Sequence, residues 1–504
     1  MVFIGSDVNR RRLSGVLIDR RPAGRYVEGD AEGDRMETPE RQSVRNALTR
    51  REALQVGVGM FGLSLPRFLQ ASQAGGRTPS GRDVSCICLF LAGGPSHFET
   101  WDPKPLARDG IRGDWKPQST SVPGTFITEK MPLLAQLAHK YAIIRSWQGR
   151  SASHSGGSMH VMSGMYPARN RQFFPNFGCL IHALFGTKVP GIAPHVGLPV
   201  DARYTKSPAY LGPAYASFDI TGDPSAADFH IDGLTLPRDR FEGRRSLLDQ
   251  IDNLGRLADS NGDAIAAHGR FYEEAFTTLT SGAIQRAANL AEEPRRLRER
   301  YGMNIYGQRV LLARRLIEAG TRFVTINQAV QGGPYVSPNR QIAGTWDNHS
   351  DIFSFMMTYG GRPPRGRKAH KHWMSYNGPG NVPQLDMSLS TLLEDLDQRG
   401  LLDSTLVVVM GEFGRTPRIN SKGGRDHYAQ AGSVLMAGAG VRGGAVIGET
   451  DRDGTAPITR PWTPDDFGAS IYHACGIDFH NTYYPHLPRP TRISNGQVID
   501  GLFG

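Results

Sequence analysis

The chain has 504 residues and a formal net charge of +10, with 39% hydrophobic and 21% charged residues. These values exclude a disordered or fibrous protein, because such chains lack the apolar residues that build a core. The positive excess is spread along the sequence without a Lys/Arg block interleaved with aromatic residues, so we expect no nucleic-acid partner and only a general attraction for anions. Four cysteines lie in apolar contexts without the paired spacing of metal ligands, which predicts buried thiols.

The first 74 residues predict an export segment in front of the folded domain. Residues 1–48 are rich in Arg, Gly and Asp and lack hydrophobic periodicity, which predicts a disordered extension. Residues 49–74 place Arg50 and Arg51 before a short apolar, glycine-rich stretch and a small-residue end, the arrangement of a twin-arginine signal peptide. An amphipathic helix is the alternative for this segment. The twin arginines lie far from the first residue, whereas in twin-arginine signal peptides they lie near the beginning. A chain that started at Met36 would have a more ordinary signal peptide.

The remainder, residues 75–504, predicts a single α/β domain. Apolar, β-branched runs of strand length recur in it, at residues 86–91, 141–146, 321–327, 405–410 and 433–440. Runs buried on both faces are typical of parallel sheets. Helical regions are predicted between and after them: one begins near Gly156, several occupy residues 239–320, one runs from Asp386 to a stop at Gly400, and the last begins at Pro464. The alternation of helix and strand favours a sheet covered by helices.

Groups of polar side chains follow the predicted strands, where ligands bind in open α/β sheets. The four groups are His97, Glu99 and Asp102; Ser153, His154 and Ser155; Asp347, His349 and Asp351; and Glu412 with Asp426 and His427. Imidazole and carboxylate groups without thiols suit a borderline divalent ion, and two neighbouring ions would suit phosphoryl or sulfuryl transfer. A structural role is the alternative for each group, since loop histidines often serve as hydrogen-bonding groups and Glu412 has arginines beside it.

Five motifs resemble one known family. They are GGPSHFETWDPKP, TWDNHSDIF, LLEDLDQRGLLDSTLVVVMGEFGRTPRIN, GRDHY and AGAGVRGGAVIGETD, and together they resemble the family called domain of unknown function 1501 over most of the predicted domain. That family is similar to the alkaline phosphatase and sulfatase superfamily. The resemblance implies an alkaline phosphatase-like three-layer α/β/α fold with a central mostly parallel sheet and metal sites at the strand ends.

The resemblance also implies a divalent metal, zinc, manganese or calcium. The ligands it implies for one site are Asp347, His349 or Asp351, and His427, while Glu412 and His97 would complete a second site. These assignments are made residue by residue. Two of them depart from the superfamily pattern. Phe413 follows Glu412 where an imidazole is expected, and Ala-Gly-Gly replaces the acidic residue after the first strand, so that His97 is the nearest donor there.

Catalytic roles are implied in the same way. The position of the sulfatase nucleophile corresponds to His154, and no cysteine is available there for conversion to formylglycine. His154 is therefore expected to be either the nucleophile or a metal ligand, with Ser153 or Ser155 as the alternative nucleophile. Arg415 and Arg150 are candidates for binding an oxyanion, because a guanidinium matches the geometry of phosphate and sulfate. A surface ion pair is the alternative for each arginine.

The leading functional hypothesis is an exported, metal-dependent hydrolase of phosphate or sulfate esters, periplasmic or secreted through the twin-arginine export machinery. Its expected partner is an anionic small molecule or polysaccharide ester, and no stable membrane span is expected because the apolar run is too short. A non-catalytic secreted binding protein on the same scaffold is the alternative, and a structural component of the cell envelope is a third hypothesis.

Overall fold

The computed structural model describes residues 83–166, 174–198, 207–231, 273–328, 346–350, 352–353, 380–484, 487 and 490–504. The predicted extension, the predicted signal peptide and Asp351 lie outside the described residues. Among the helices that the structure describes, none combines the length and the apolar character needed to cross a bilayer.

Twelve strands and eight α-helices are named here in chain order. The strands are β1 (Ser85–Phe90), β2 (Pro117–Ser119), β3 (Phe126–Thr128), β4 (Tyr141–Trp147), β5 (His195–Leu198), β6 (Phe218–Asp219), β7 (Phe323–Asn327), β8 (Thr405–Met410), β9 (Gly414–Arg415), β10 (His427–Tyr428), β11 (Gly432–Ala437) and β12 (Val446–Ile447). The helices are α1 (Pro132–Gln136), α2 (His154–Ser163), α3 (Phe177–Phe185), α4 (Ala283–Ala288), α5 (Arg295–Tyr301), α6 (Ile305–Ala319), α7 (Asn381–Gln398) and α8 (Pro464–Ala474).

Eight of the strands form one sheet in the order β12-β4-β11-β8-β1-β7-β5-β6. Strand β1 pairs in parallel with both β7 and β8, and β5 pairs in parallel with β6 and β7. Strand β11 runs antiparallel to its neighbours β4 and β8, and β12 is parallel to β4. The predicted mostly parallel sheet is therefore confirmed.

The sheet has a separate hydrophobic core on each face. Along β1 the side chains alternate, so that Ile87 and Leu89 belong to one core while Cys86 and Cys88 belong to the other. Helices α1, α4, α6 and α7 contribute to the first core, and helices α2, α3 and α8 to the second. This arrangement confirms the three-layer α/β/α architecture. The cysteines are buried and free, as predicted.

Local sequence signals account for the helix ends near the site. Helix α2 begins at His154, two residues before the predicted start, because the Ser153 side chain accepts a hydrogen bond from the Gly156 N–H and so caps the helix. Helix α8 begins at Pro464 as predicted, with Thr463 and Asp466 forming a capping box.

Candidate metal centre

The site lies where several parallel strands end. Glu412 follows β8 by two residues, Gly93 follows β1 by three, and His154 opens α2 after β4. Gly93 has a φ of +117°, and a Cβ built there would lie 2.3 Å from the backbone nitrogen of Asp347. Only glycine at this position therefore allows the chain segment that carries Asp347 to lie against the end of β1.

Asp347 stands at the centre of three histidines. Its Oδ1 lies 2.9 Å from His427 Nε2 and 3.1 Å from His349 Nε2, and its Oδ2 lies 3.2 Å from His154 Nε2. The Nε2 atoms of His349 and His427 are 2.9 Å apart. One ligand atom each from His154, Asp347 and His427 lie within 4.8 Å of one another, the spacing of a metal-binding group.

The outward nitrogen of each imidazole faces a hydrogen-bond acceptor. His154 Nδ1 lies 2.8 Å from Glu412 Oε1, and His349 Nδ1 lies 2.8 Å from Asp426 Oδ1. His427 Nδ1 lies 2.9 Å from the backbone carbonyl oxygen of Ala152. A carbonyl or an ionised carboxylate can only accept, so each Nδ1 donates and each Nε2 is turned toward Asp347. Nitrogen and carboxylate oxygen atoms this close together need a shared proton or a metal ion among them.

The charges of the cluster are strongly coupled. Hydrogen bonds to Asp347 and Glu412 raise the pKa of His154 to about 9. Burial alone would raise the pKa of Asp347, but its hydrogen bonds with His154 and His427 and the charge of Arg415 hold that pKa far below its ordinary range. The hydrogen bond with His349 likewise lowers the pKa of Asp426. These contacts therefore favour the ionised carboxylate of Asp347.

The cluster is open to solvent on one side. Exposed side-chain fractions are 43% for His154, 44% for His349, 29% for Asp347 and 21% for His427. Glu412, by contrast, is 3% exposed, and its oxygens accept hydrogen bonds from the Gly93 N–H at 2.9 and 3.1 Å. Glu412 thus lies behind His154, on the side away from solvent.

Phe413 forms a wall of the site. Its ring is 2% exposed and lies 4.2 Å from the His427 ring and 5.2 Å from the His154 ring, measured between centroids. A Cβ at Gly94 would lie 2.5 Å from the Phe413 ring, so this glycine makes room for it. The ring limits where either imidazole can turn.

Arg415 lies beneath the cluster and is fully buried. Its Nη2 donates to Asp347 Oδ1 at 2.6 Å and to the carbonyl oxygens of Trp346 and Gly93, while Nε and Nη1 donate to the carbonyls of Gly94 and Arg425. The guanidinium therefore has an internal acceptor at each of its nitrogens and does not face the open side.

His97 is not brought into the cluster. Its ring is fully buried against Phe98, and its Nε2 lies 3.2 Å from the Gly454 carbonyl oxygen. Burial lowers the pKa of His97 to about 4. The neighbouring Glu99 pairs with the buried Arg425 at 2.7 Å. This group after β1, predicted to follow the strand into the site, is instead packed inside the protein.

The remaining candidates are Ser153, Ser155 and Arg150, none of which contacts Asp347 in the hydrogen bonds and ion pairs of the described residues. Ser153 is exposed, caps α2 and lies 3.0 Å from Ser151 through their hydroxyl oxygens. Ser155 lies in the first turn of α2. Arg150 is 57% exposed and lies 4.0 Å from Asp465. Sequence reasoning missed two backbone groups of the site, the N–H of Gly93 and the carbonyl of Ala152. The glycine pair after β1 was a signal for the first.

A profile of the family described as protein of unknown function DUF1501 matches residues 83–503. The chain belongs to this family. The family resemblance inferred from the motifs is thereby confirmed. No curated protein matches the chain.

Several solved structures are similar to this DUF1501 chain. One is a protein in the alkaline phosphatase superfamily from Vibrio parahaemolyticus, with 10% identity and a TM-score of 0.31, covering 82% of this chain and 76% of that one. A phosphonate monoester hydrolase from Silicibacter pomeroyi has 12% identity and a TM-score of 0.31, covering 79% and 74%. A sulfatase from Pseudoalteromonas sp. has 10% identity and a TM-score of 0.33, covering 82% and 72%. Likenesses this distant do not assign an activity.

Proposed function

We propose that the protein is a metal-dependent hydrolase of phosphate or sulfate esters. The observation that carries the proposal is the solvent-open cluster in which Asp347 and three imidazole Nε2 atoms converge. Structural zinc sites are closed by their ligands, whereas catalytic sites keep a position for substrate or water. The exposed fractions of His154 and His349 favour the second type.

The residues present fit a divalent metal ion. Asp347, His427 and His154 would hold it, supported by the nearby His349. When bound, such an ion supplies Lewis-acid chemistry, lowering the pKa of a water and stabilising negative charge on an ester oxygen. Glu412 and the Ala152 carbonyl keep the two imidazoles turned toward the centre. Phe413 excludes water from one side of both rings.

Anionic esters suit the surroundings of the cluster. Helix α2 begins at His154, so the positive end of its dipole lies at the site and favours a negatively charged group. Arg150, largely exposed and four residues before His154, supplies a guanidinium that can bind phosphate or sulfate. Arg415 does not suit this role, because its donors are used internally, and we propose that it positions Asp347 instead.

We also propose that the protein is exported. Support comes from the twin arginines and the apolar stretch in residues 49–74. The twin-arginine route carries proteins already folded, which suits a metal bound before export. This part of the proposal is tested by the cellular fraction in which the protein is found, independently of its activity.

Hydrolysis by the full-length protein tests the proposed function. We expect 4-nitrophenyl phosphate or 4-nitrophenyl sulfate to be hydrolysed, with activity lost on chelation, restored by a divalent ion and abolished by Asp347→Ala. The control is His139→Ala, which removes an exposed histidine outside the cluster. A metal-loaded protein that binds phosphate or sulfate without turnover would contradict the proposal and favour the non-catalytic binding protein.

A further inference from the structure

We infer that the protein has a second binding site, a cavity at the edge of the main sheet that takes a neutral saccharide. The cavity has a volume of about 610 Å³, within the range of about 300–1,000 Å³ that is typical of small-molecule sites. It is lined by residues 102–106 after β1, by Arg145 on β4 and by residues between 446 and 458. None of the described residues that line it belongs to the metal centre, and the inference does not require hydrolysis.

Buried charged groups form the floor of the cavity. Asp102 is 2% exposed, and its Oδ2 accepts a hydrogen bond from Thr450 Oγ1 at 2.6 Å. Its Oδ1 lies 3.1 Å from Lys104 Nζ and 3.5 Å from Arg145 Nε. Because these side chains are already held in place, little conformational entropy is lost at the floor when a ligand binds.

The cavity still has hydrogen-bonding groups for a ligand. Arg145 donates from Nε to the Trp101 carbonyl oxygen and from Nη2 to the Phe126 carbonyl oxygen. The part of the chain that the structure describes provides no acceptor for its Nη1, which is therefore available as a donor. Glu449, an exposed residue of the lining, adds a carboxylate that can only accept.

The lining of the cavity carries no net charge. Three cationic side chains are matched by three carboxylates, Lys104, Arg145 and Arg452 against Asp102, Glu449 and Asp451. Opposite charges that lie beside one another offer little net attraction to a free ion, but they keep their capacity for hydrogen bonds. Hydroxyl groups, which both donate and accept, suit such a lining better than a phosphate, a sulfate or a carboxylate.

The rim of the cavity is apolar. Leu106, Val446 and Ile458 belong to the lining, and they are 74%, 36% and 62% exposed. They are three of the nine large hydrophobic side chains that are exposed in the described residues, so apolar surface is concentrated at this cavity rather than scattered. A sugar ring has apolar C–H faces and hydroxyl groups at its edges. A saccharide therefore matches both the rim and the floor.

The cavity wall is connected to the metal centre from outside. Asp451 accepts hydrogen bonds from the N–H and the hydroxyl of Thr455. The Thr455 carbonyl oxygen accepts a hydrogen bond at 2.8 Å from the hydroxyl of Tyr428, which follows His427 on β10. A saccharide bound in the cavity is thus separated from the metal centre by this wall, and its binding does not depend on a metal ion.

Binding of neutral oligosaccharides to the full-length protein tests the inference. The probes are immobilised hexasaccharides of glucose, mannose, galactose and xylose, with sulfated galactose hexasaccharides for comparison, and calorimetry then measures the affinity for the best neutral probe. We expect at least one neutral probe to bind, with the same affinity after treatment with EDTA. Binding to none of the neutral probes, a preference for the sulfated probes, or loss of binding in EDTA would overturn the inference.

Two exposed positions test the location of the site. We expect Glu449→Ala to weaken saccharide binding about tenfold through the loss of a charged acceptor, and Ile458→Ser to weaken it about threefold through the loss of apolar contact. Met303→Ser is the matched control, because Met303 is 49% exposed and lies outside the cavity, and it should leave the affinity within about twofold of wild type.

The outcomes separate this inference from the proposed function. Unchanged affinity in both the Glu449 and the Ile458 variants would overturn the location of the site. Saccharide binding with the expected variant effects but no ester hydrolysis would support the inference while contradicting the proposed function. Ester hydrolysis by a protein that binds none of the neutral probes would do the reverse.

Discussion

Replacing Arg415 tests whether this residue holds the site together or binds substrate. Arg415→Met removes a fully buried guanidinium and leaves the Asp347 carboxylate and several backbone carbonyls without their donors. Removing one partner of a buried ion pair typically costs about 3–5 kcal/mol. Because Asp347 is 29% exposed, water can replace part of the lost interaction, and we expect the lower end, about 3 kcal/mol. With an unfolding entropy of about 2.1 cal/mol/K per residue over residues 83–503, a loss of about 3 kcal/mol lowers Tm by about 3–4 °C.

Two further variants make the result decisive. Arg415→Lys keeps the charge, but one ammonium cannot reach the Gly94 carbonyl, the Arg425 carbonyl and Asp347 together, so we expect nearly the same loss. Arg418→Met alters an exposed arginine of the same loop and should leave Tm unchanged. Scanning calorimetry measures all three. Unchanged Tm in both Arg415 variants with a raised KM would refute this reasoning and assign Arg415 to the substrate, as the sequence suggested.

Three other predictions follow from the geometry of the cluster. Gly93→Ala should lower zinc affinity on the order of tenfold or more, because the added Cβ would displace Asp347. Gly110→Ala is the control: Gly110 also has a positive φ, but a Cβ there meets nothing within 4 Å, so zinc affinity should not change. Competition with a chelator measures the zinc affinity of both variants. A metal ion binds the neutral ring of His154, and the neighbouring carboxylates raise the pKa of that ring to about 9. Metal affinity should therefore rise about tenfold per pH unit below pH 9 and level off above it, with about one proton released per bound ion at neutral pH. Calorimetry in buffers of different ionisation enthalpy measures this proton release, and detecting none would contradict the prediction. Ser153→Ala should cost about 1 kcal/mol of stability as a lost helix cap but change kcat less than about threefold, and a 100-fold loss would identify Ser153 as the nucleophile.

The fold could be predicted because its signals are local. The run TLVVVM is fully buried as β8, and its uniform β-branched character indicates burial on both faces without knowledge of any neighbour. Pro464 with the capping box of α8 is a similar signal. These features depend on residues adjacent in sequence, so the sequence alone contains them.

The site could be predicted only in part. Asp347, His349, His427 and His154 were identified because loops after strands carry ligands, and the structure brings them together. The burial of Arg415 depends on distant backbone carbonyls, and no sequence pattern reports these. His97 follows a strand in the same way as the others, but the chain packs its ring against the Gly454 carbonyl instead.

The proposed function depends on a metal ion bound by Asp347 and the surrounding histidines. The most direct test is elemental analysis of the purified full-length protein and of an Asp347→Ala/His427→Ala variant, with His139→Ala as a control for loss of an exposed histidine outside the cluster. We predict about one equivalent of a transition metal in wild type and in the control, and none in the double variant. Wild-type protein that holds no metal after incubation with zinc, or a double variant that retains it, would show that this cluster is not a metal site.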